Sequence, residues 1–375
     1  MIIAGEASGD LHAAKLVQAV RATLPAIHFF GIGGSNMRAA GVDTLVDARD
    51  IAVVGLVEIW AQRKVIFGAL ATMRAMLKEA PPDLLILVDY PEFNLRLAKT
   101  AKQCGVKVLY YISPQVWAWR QHRVNTIRAR VDHMAVVFPF EAEFYQQHHV
   151  PVTFVGHPLV DEVKASGDQA TLRQQFGIAA DKPVVGLFPG SRHSEIKRLF
   201  PIILASAKLL QQRNPHIQFL LPIAPTLNQN DLQPYLHGYG SLNIVPITAR
   251  TYDVIHGCDA IVTVSGTVTL EIALLGTPMV IINRVAWLTY TVVRRMLKIA
   301  HIGLCNIVAD KRIVPELIQN EATPKNICAE LEKLLFDKPY RQQMINDLAS
   351  IEKKLGEPGG INNVATLAIA MLADK

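Results

Sequence analysis

Short apolar runs alternate along this chain with longer stretches whose hydrophobic residues recur every three or four positions. The alternation dominates the first 155 residues, where strands are predicted at 2–4, 28–31, 84–88, 106–111, 133–137 and 153–154, with helical patterns between most of them. It restarts at 184–188 and continues through 218–221, 243–245, 260–264 and 279–282. Strands separated by helices make βαβ units and parallel sheets, so the restart predicts two doubly wound α/β domains. Gly156-His157-Pro158-Leu159 leads into a polar stretch at 164–171, the best candidate linker. Helical patterns at 324–335, 339–355 and 362–372 end the chain, broken by Gly356-Glu357-Pro358-Gly359-Gly360. The expected division is therefore 1–160, 161–338 and a helical segment at 339–375.

Composition agrees with this and narrows the function. At 375 residues, half of them hydrophobic and 19% charged, the chain can fill two cores, and its composition argues against extended disorder. Its +6 charge suits an anionic ligand or membrane surface, but no Arg/Lys block or basic tail is present, so nucleic acid is not an expected partner. Cys104, Cys258, Cys305 and Cys328 form no Cys-x-x-Cys pair, which argues against zinc ribbons and dithiol redox chemistry. They read as small buried hydrophobes of a reducing cytosol. Met1 leads directly into an acidic loop, so no export signal is expected. No apolar run approaches the roughly 20 residues a spanning helix needs, and a soluble or peripheral protein follows.

Four strand-to-helix turns carry candidate chemistry. Gly5-Glu6-Ala7-Ser8-Gly9-Asp10 follows the first strand, and its two carboxylates and hydroxyl are more than a plain turn requires; Ser8 or Asp10 as a helix cap is the alternative. The strand at 84–88 delivers Asp89-Tyr90-Pro91-Glu92-Phe93-Asn94, placing an acid where it could abstract a proton, or where it could cap the next helix. Phe188-Pro189-Gly190-Ser191-Arg192 offers backbone amides and an Arg fork to a diphosphate, or is a capped turn with a solvated Arg. Ser265-Gly266-Thr267-Val268-Thr269-Leu270-Glu271 adds hydroxyls at a helix start, with Glu271 one turn in. Glu271 suits a ribose diol or a capping box. Gly31-Ile32-Gly33-Gly34-Ser35-Asn36 lacks the third glycine of a dinucleotide fingerprint, and no Walker A sequence occurs. No Asp-x-Asp is present, so catalysis without a metal or other cofactor is expected, Arg192 and helix ends taking the leaving-group charge. His12 and His157 could serve as acids by type but read as structural.

The acidic turn, Ser113-Pro114-Gln115-Val116-Trp117-Ala118-Trp119-Arg120 and Phe188-Pro189-Gly190-Ser191-Arg192 together resemble the lipid-A-disaccharide synthases, inverting glycosyltransferases of lipid A assembly. The resemblance covers nearly the whole chain, although only Met1 to Ile3 precede the first turn, a shorter strand than that family's. It implies the GT-B arrangement, two Rossmann-like domains facing across a cleft. It also implies UDP-2,3-diacylglucosamine as donor and 2,3-diacylglucosamine 1-phosphate as acceptor. By the same resemblance Asp89 matches the first Asp of Asp-x-Pro-(Asp/Glu)-Phe-Asn and is the implied base, with Tyr90 and Glu92 where the family often has Ala and Asp. Gly190, Ser191, Arg192, Gly266 and Thr267 would hold UDP, Glu271 its ribose, and Asn306 a further donor contact, Cys305 replacing the family's proline. Glu6, Ser8, Asp10 and Trp119 would line the acceptor side. Some members exchange the C-terminal segment between protomers, so a homodimer through 339–375 is one implied arrangement.

Acylated substrates imply contact with the cytoplasmic face of the inner membrane. The stretch 59–80 is too apolar for a one-face surface helix and is interrupted by Arg63, Lys64, Arg74 and Lys78; 285–304 is similar, with core burial as the alternative for both. The residues alone reach only a nucleotide-sugar enzyme, and the lipid substrates rest on the resemblance. A nucleotide-sugar epimerase of the same architecture is the rival reading.

Overall fold

The computed structural model describes residues 1–51, 56–285 and 300–374, with backbone alone for 56–62. Two compact units divide the chain: Met1–Pro158 with Leu355–Lys375, and Leu159–Lys354.

The first unit holds a seven-stranded parallel sheet of order β3-β2-β1-β4-β5-β6-β7. Its strands are β1 (Ile2–Ala4), β2 (Phe30–Gly33), β3 (Asp43–Asp47), β4 (Leu84–Val88), β5 (Lys107–Tyr111), β6 (His133–Val136) and β7 (Val152–Phe154). Every residue of β1 and β4 is buried, as expected of central strands covered on both faces. The second unit repeats the plan with β8 (Val184–Phe188), β9 (Gln218–Ile223), β10 (Ile244–Thr248), β11 (Ala260–Val264), β12 (Met279–Asn283) and β13 (Glu316–Ile318), all parallel and in the order β10-β9-β8-β11-β12-β13. The predicted strands at 84–88, 184–188 and 260–264 match in both bounds. Two edge strands, β3 and β13, were not predicted, because partly exposed edges carry too few apolar residues to make a run.

Helix Ala7–Thr23 starts four residues before the first predicted apolar position, so Ser8, Gly9 and Asp10 form its first turn rather than a loop. The last two helices fall into different units: Lys338–Leu355 belongs mainly to the second, while Gly360–Ala373 packs against helix Ala7–Thr23 of the first. Gly156 makes that return close. A Cβ on Gly360 would lie 3.0 Å from the Gly156 carbonyl oxygen, the His157 amide donates to Leu355, and Asn363 donates to the Val155 carbonyl.

Helix Leu56–Glu79 buries Ala69, Leu70, Met73 and Leu77 on one face, so core burial accounts for its C-terminal half. Val65 and Phe67 are exposed beside exposed Arg63 and Lys64. The second stretch considered for membrane contact lies, at 286–299, outside the described residues. Among the described residues no helix is long and apolar enough to cross a membrane.

Candidate active site

In an open parallel sheet, ligands bind beyond the carboxyl ends of the strands at the point where strand order reverses. That point lies between β1 and β4 in the first unit and between β8 and β11 in the second. The four turns read from sequence are the four that leave these strands.

In the first unit Ala4 pairs with Val88, so the turn after β1 sits beside Asp89. Glu6 and Ser8 are exposed there. Burial, and then the charge of Glu6, push the half-buried Asp89 carboxyl up to about 6, while the Tyr90 amide pulls it down. The cap position of helix Pro91–Gln103 falls on Tyr90 rather than Asp89; Tyr90 is left-handed there and its side chain makes no capping hydrogen bond. Tyr90 instead lays its ring over Gly5, where a Cβ would clash with the ring, and its hydroxyl donates to the Ile51 carbonyl.

Asp10 departs from expectation. It is buried, and its two carboxylate oxygens accept from the amides of Gly34, Asn36 and Met37 and from the Asn36 side chain at 2.5–3.2 Å. Its oxygens are committed to the turn after β2. The capping alternative was right in kind, but the helix capped is Ser35–Ala39 rather than its own.

Beyond β5, the loop with two tryptophans splits their roles. Trp117 is buried edge-on against Phe140, and its Nε1 donates to Glu141 at 3.1 Å. Trp119 is 40% exposed with the Arg120 guanidinium over its ring. Glu141 also accepts from the Phe138 amide, and burial pushes its carboxyl up to about 8. An Arg123–Glu92 ion pair at 2.7 Å ties the following turn to the helix after Asp89. Sequence reasoning missed Glu141, whose position three residues into a helix resembles an ordinary capping acid. His157 lies tilted against Phe138 with ring centroids 4.9 Å apart, and burial, then His12, lower its pKa to about 3, so it stays neutral.

In the second unit Gly190 takes φ 107°, and helix His193–Arg213 begins after Arg192. The Ser191 and Arg192 amides, expected to face a ligand, donate to the Glu195 carboxylate at 3.0 and 3.3 Å. Arg192 also reaches Glu195, yet its side chain stays 69% exposed. Across the switch point, Gly266 and Thr267 precede helix Val268–Leu274, and Thr267 is exposed with no capping hydrogen bond. No capping box with Glu271 forms at this helix start. Burial first, then Glu162, push its carboxyl up to about 7.

Asn306 is fully buried. Its Nδ2 donates to the Val314 carbonyl and to Glu316, and its Oδ1 accepts from the Ile313 and Val314 amides. Each hydrogen-bonding position of its amide is thus used within the fold. Glu316, unnoticed in the sequence, completes this knot by accepting from the Ile302 and Gly303 amides, and the Ile302 carbonyl accepts from Ser265. The knot thus fixes the start of the Gly266 turn.

Two parallel sheets, each with polar turns leaving its switch-point strands, define a fold of the GT-B class. Solved neighbours share it: a glycosyltransferase of kitacinnamycin (TM-score 0.63, 15% identity, 99% of this chain and 98% of that one) and the UDP-GlcNAc 2-epimerase of Neisseria meningitidis bound to UDP-GlcNAc (0.62, 13%, 97% and 98%). At such identities the likeness is one of fold, and the epimerase alternative has no other support. The pattern of the family described as lipid-A-disaccharide synthetase matches residues 1–360. Lipid-A-disaccharide synthases of Geobacter metallireducens and Trichlorobacter lovleyi are 55% and 53% identical over 100% and 99% of this chain, covering 97% of each relative. The chain belongs to the lipid-A-disaccharide synthase family and is a glycosyltransferase.

Proposed function

We propose that the enzyme transfers 2,3-diacylglucosamine from UDP-2,3-diacylglucosamine to a hydroxyl of 2,3-diacylglucosamine 1-phosphate with inversion, giving a β-1,6-linked disaccharide and UDP. The acceptor oxygen forms the new bond to the anomeric carbon as the bond to the diphosphate breaks. Asp89 takes the acceptor proton, and the electron pair leaves with UDP. The observation that carries this is the Asp89 carboxylate itself, at the tip of a switch-point strand and raised to about 6, so that it is ionised near neutrality yet basic enough to accept a proton. Glu6, Ser8 and Trp119 meet the acceptor. Arg192 and Thr267 meet the diphosphate on turns shaped by Gly190, Ser191 and Gly266, and Glu271 meets the ribose; no metal is assigned a step.

The same reading brings the protein to the cytoplasmic face of the inner membrane. Exposed Val65 and Phe67, beside Arg63 and Lys64, give this part of helix Leu56–Glu79 the mixed character of an interfacial helix face. The test is UDP release from a diacylated UDP-glucosamine donor in EDTA, with and without diacylglucosamine 1-phosphate. Acceptor-dependent release in wild type, lost in Asp89→Ala, is the expected result. Release without acceptor would point to a hydrolase or hydrolysing epimerase and overturn the reading.

A further inference from the structure

Asp89 and Tyr90 both have positive φ, 48° and 44°, a conformation that side chains with a Cβ rarely adopt singly and still more rarely in succession. Something must hold it. The Asp89 carbonyl oxygen accepts two hydrogen bonds, from the Tyr110 hydroxyl at 2.5 Å and from Asn94 Nδ2 at 2.7 Å, and Asn94 also donates to the Val88 carbonyl at 3.3 Å. On the other side of the residue, the Asp89 amide donates to the Tyr111 carbonyl. Tyr110 and Asn94 are both fully buried, so neither donor has a solvent alternative.

A carbonyl has two lone-pair directions, and here both are filled by buried side chains anchored on different elements, β5 and helix Pro91–Gln103. That fixes the peptide plane after Asp89 and with it the direction in which the Asp89 carboxylate leaves the chain. We infer that Tyr110 and Asn94 are positioning residues for catalysis: they clamp the Asp89 carbonyl and so aim the carboxylate that takes the acceptor proton. The inference rests on the assignment of Asp89 as base. Burial, with Asp89 and Tyr145 adding to it, raises the Tyr110 phenol well above its usual range, so the hydroxyl remains a donor throughout the working pH range.

Tyr110→Phe removes one oxygen from the clamp and little else. Expected is a fall in kcat of about tenfold to a hundredfold with donor and acceptor KM within about twofold of wild type. The acid limb of the kcat–pH profile should move by roughly half a unit or more as the carboxylate changes surroundings. Asn94→Ala, if it folds, should do the same. Unchanged kcat and profile in Tyr110→Phe would overturn the inference, and so would a loss of kcat that follows a lowered melting temperature while the acid limb stays in place. Asp89→Asn in the same series separates the two claims: if it keeps wild-type kcat, the base assignment fails, whatever Tyr110→Phe does.

Discussion

At Asp89 the physical chemistry is a balance between burial, which favours the neutral acid, and the need for an ionised base. Glu6 adds to burial, so its charge sets where the balance falls. Activity should rise with pH through a midpoint near 6, since the ionised form is the active one. Glu6→Gln removes a neighbouring negative charge and should move that midpoint to lower pH, as a kcat–pH profile would show; a move upward would mean that Glu6 does not act on Asp89 through charge. Gly5 is constrained by contact rather than conformation, because a Cβ there would meet the Tyr90 ring. Gly5→Ala alone should lower kcat roughly a hundredfold by displacing Tyr90 and the adjoining Asp89. Gly5→Ala with Tyr90→Ala should recover most of it, and failure to recover would show that Gly5 is needed for something other than room for the ring.

At the level of elements, the central strands were legible because parallel strands buried on both faces read as unbroken apolar runs, as at 84–88 and 260–264. The turns that leave them were legible for the same reason, since a polar cluster directly after such a run has few other places to be. What could not be read was which polar side chains face inward. Asp10, Asn306 and Glu316 are acids and amides like any others in sequence, and only the fold reveals that backbone amides distant in sequence consume their oxygens. Glu141 is another. Held by Trp117 and the Phe138 amide, it anchors the two-tryptophan loop to helix Pro139–Gln147, and its carboxyl rises from 4.5 to about 8 on folding. A group raised in this way binds its proton more tightly in the folded state, so its stabilising contribution is complete below about 4.5 and is lost as pH climbs through about 8. Chemical denaturation should therefore show Glu141→Gln gaining stability relative to wild type between pH 5 and pH 8.5. A constant difference would mean that Glu141 does not change its proton affinity on folding.

The whole molecule comprises two units, each with its own parallel sheet and buried core, and the proposed division of labour follows that boundary. Proton abstraction is assigned to residues of the first, and leaving-group and ribose contacts to Arg192, Thr267 and Glu271 of the second. With two cores, unfolding need not be a single cooperative event, so one melting temperature is a poor probe of ligand binding. Amide hydrogen exchange resolves the units. UDP at about a hundred times its dissociation constant should stabilise whatever cooperative unit it binds by roughly 2.7 kcal/mol, slowing exchange through global opening of that unit about a hundredfold. Protection should concentrate in peptides covering 184–192 and 260–274, while 84–94 and 107–111 exchange as in the free protein. Arg192→Ala should weaken the effect without moving it, because an exposed guanidinium adds affinity for phosphate but does not shape the turn that Gly190 and Glu195 hold. Equal protection at 84–94 would place nucleotide contacts in the first unit too, and the assignment of Asp89 to the acceptor alone would have to be given up.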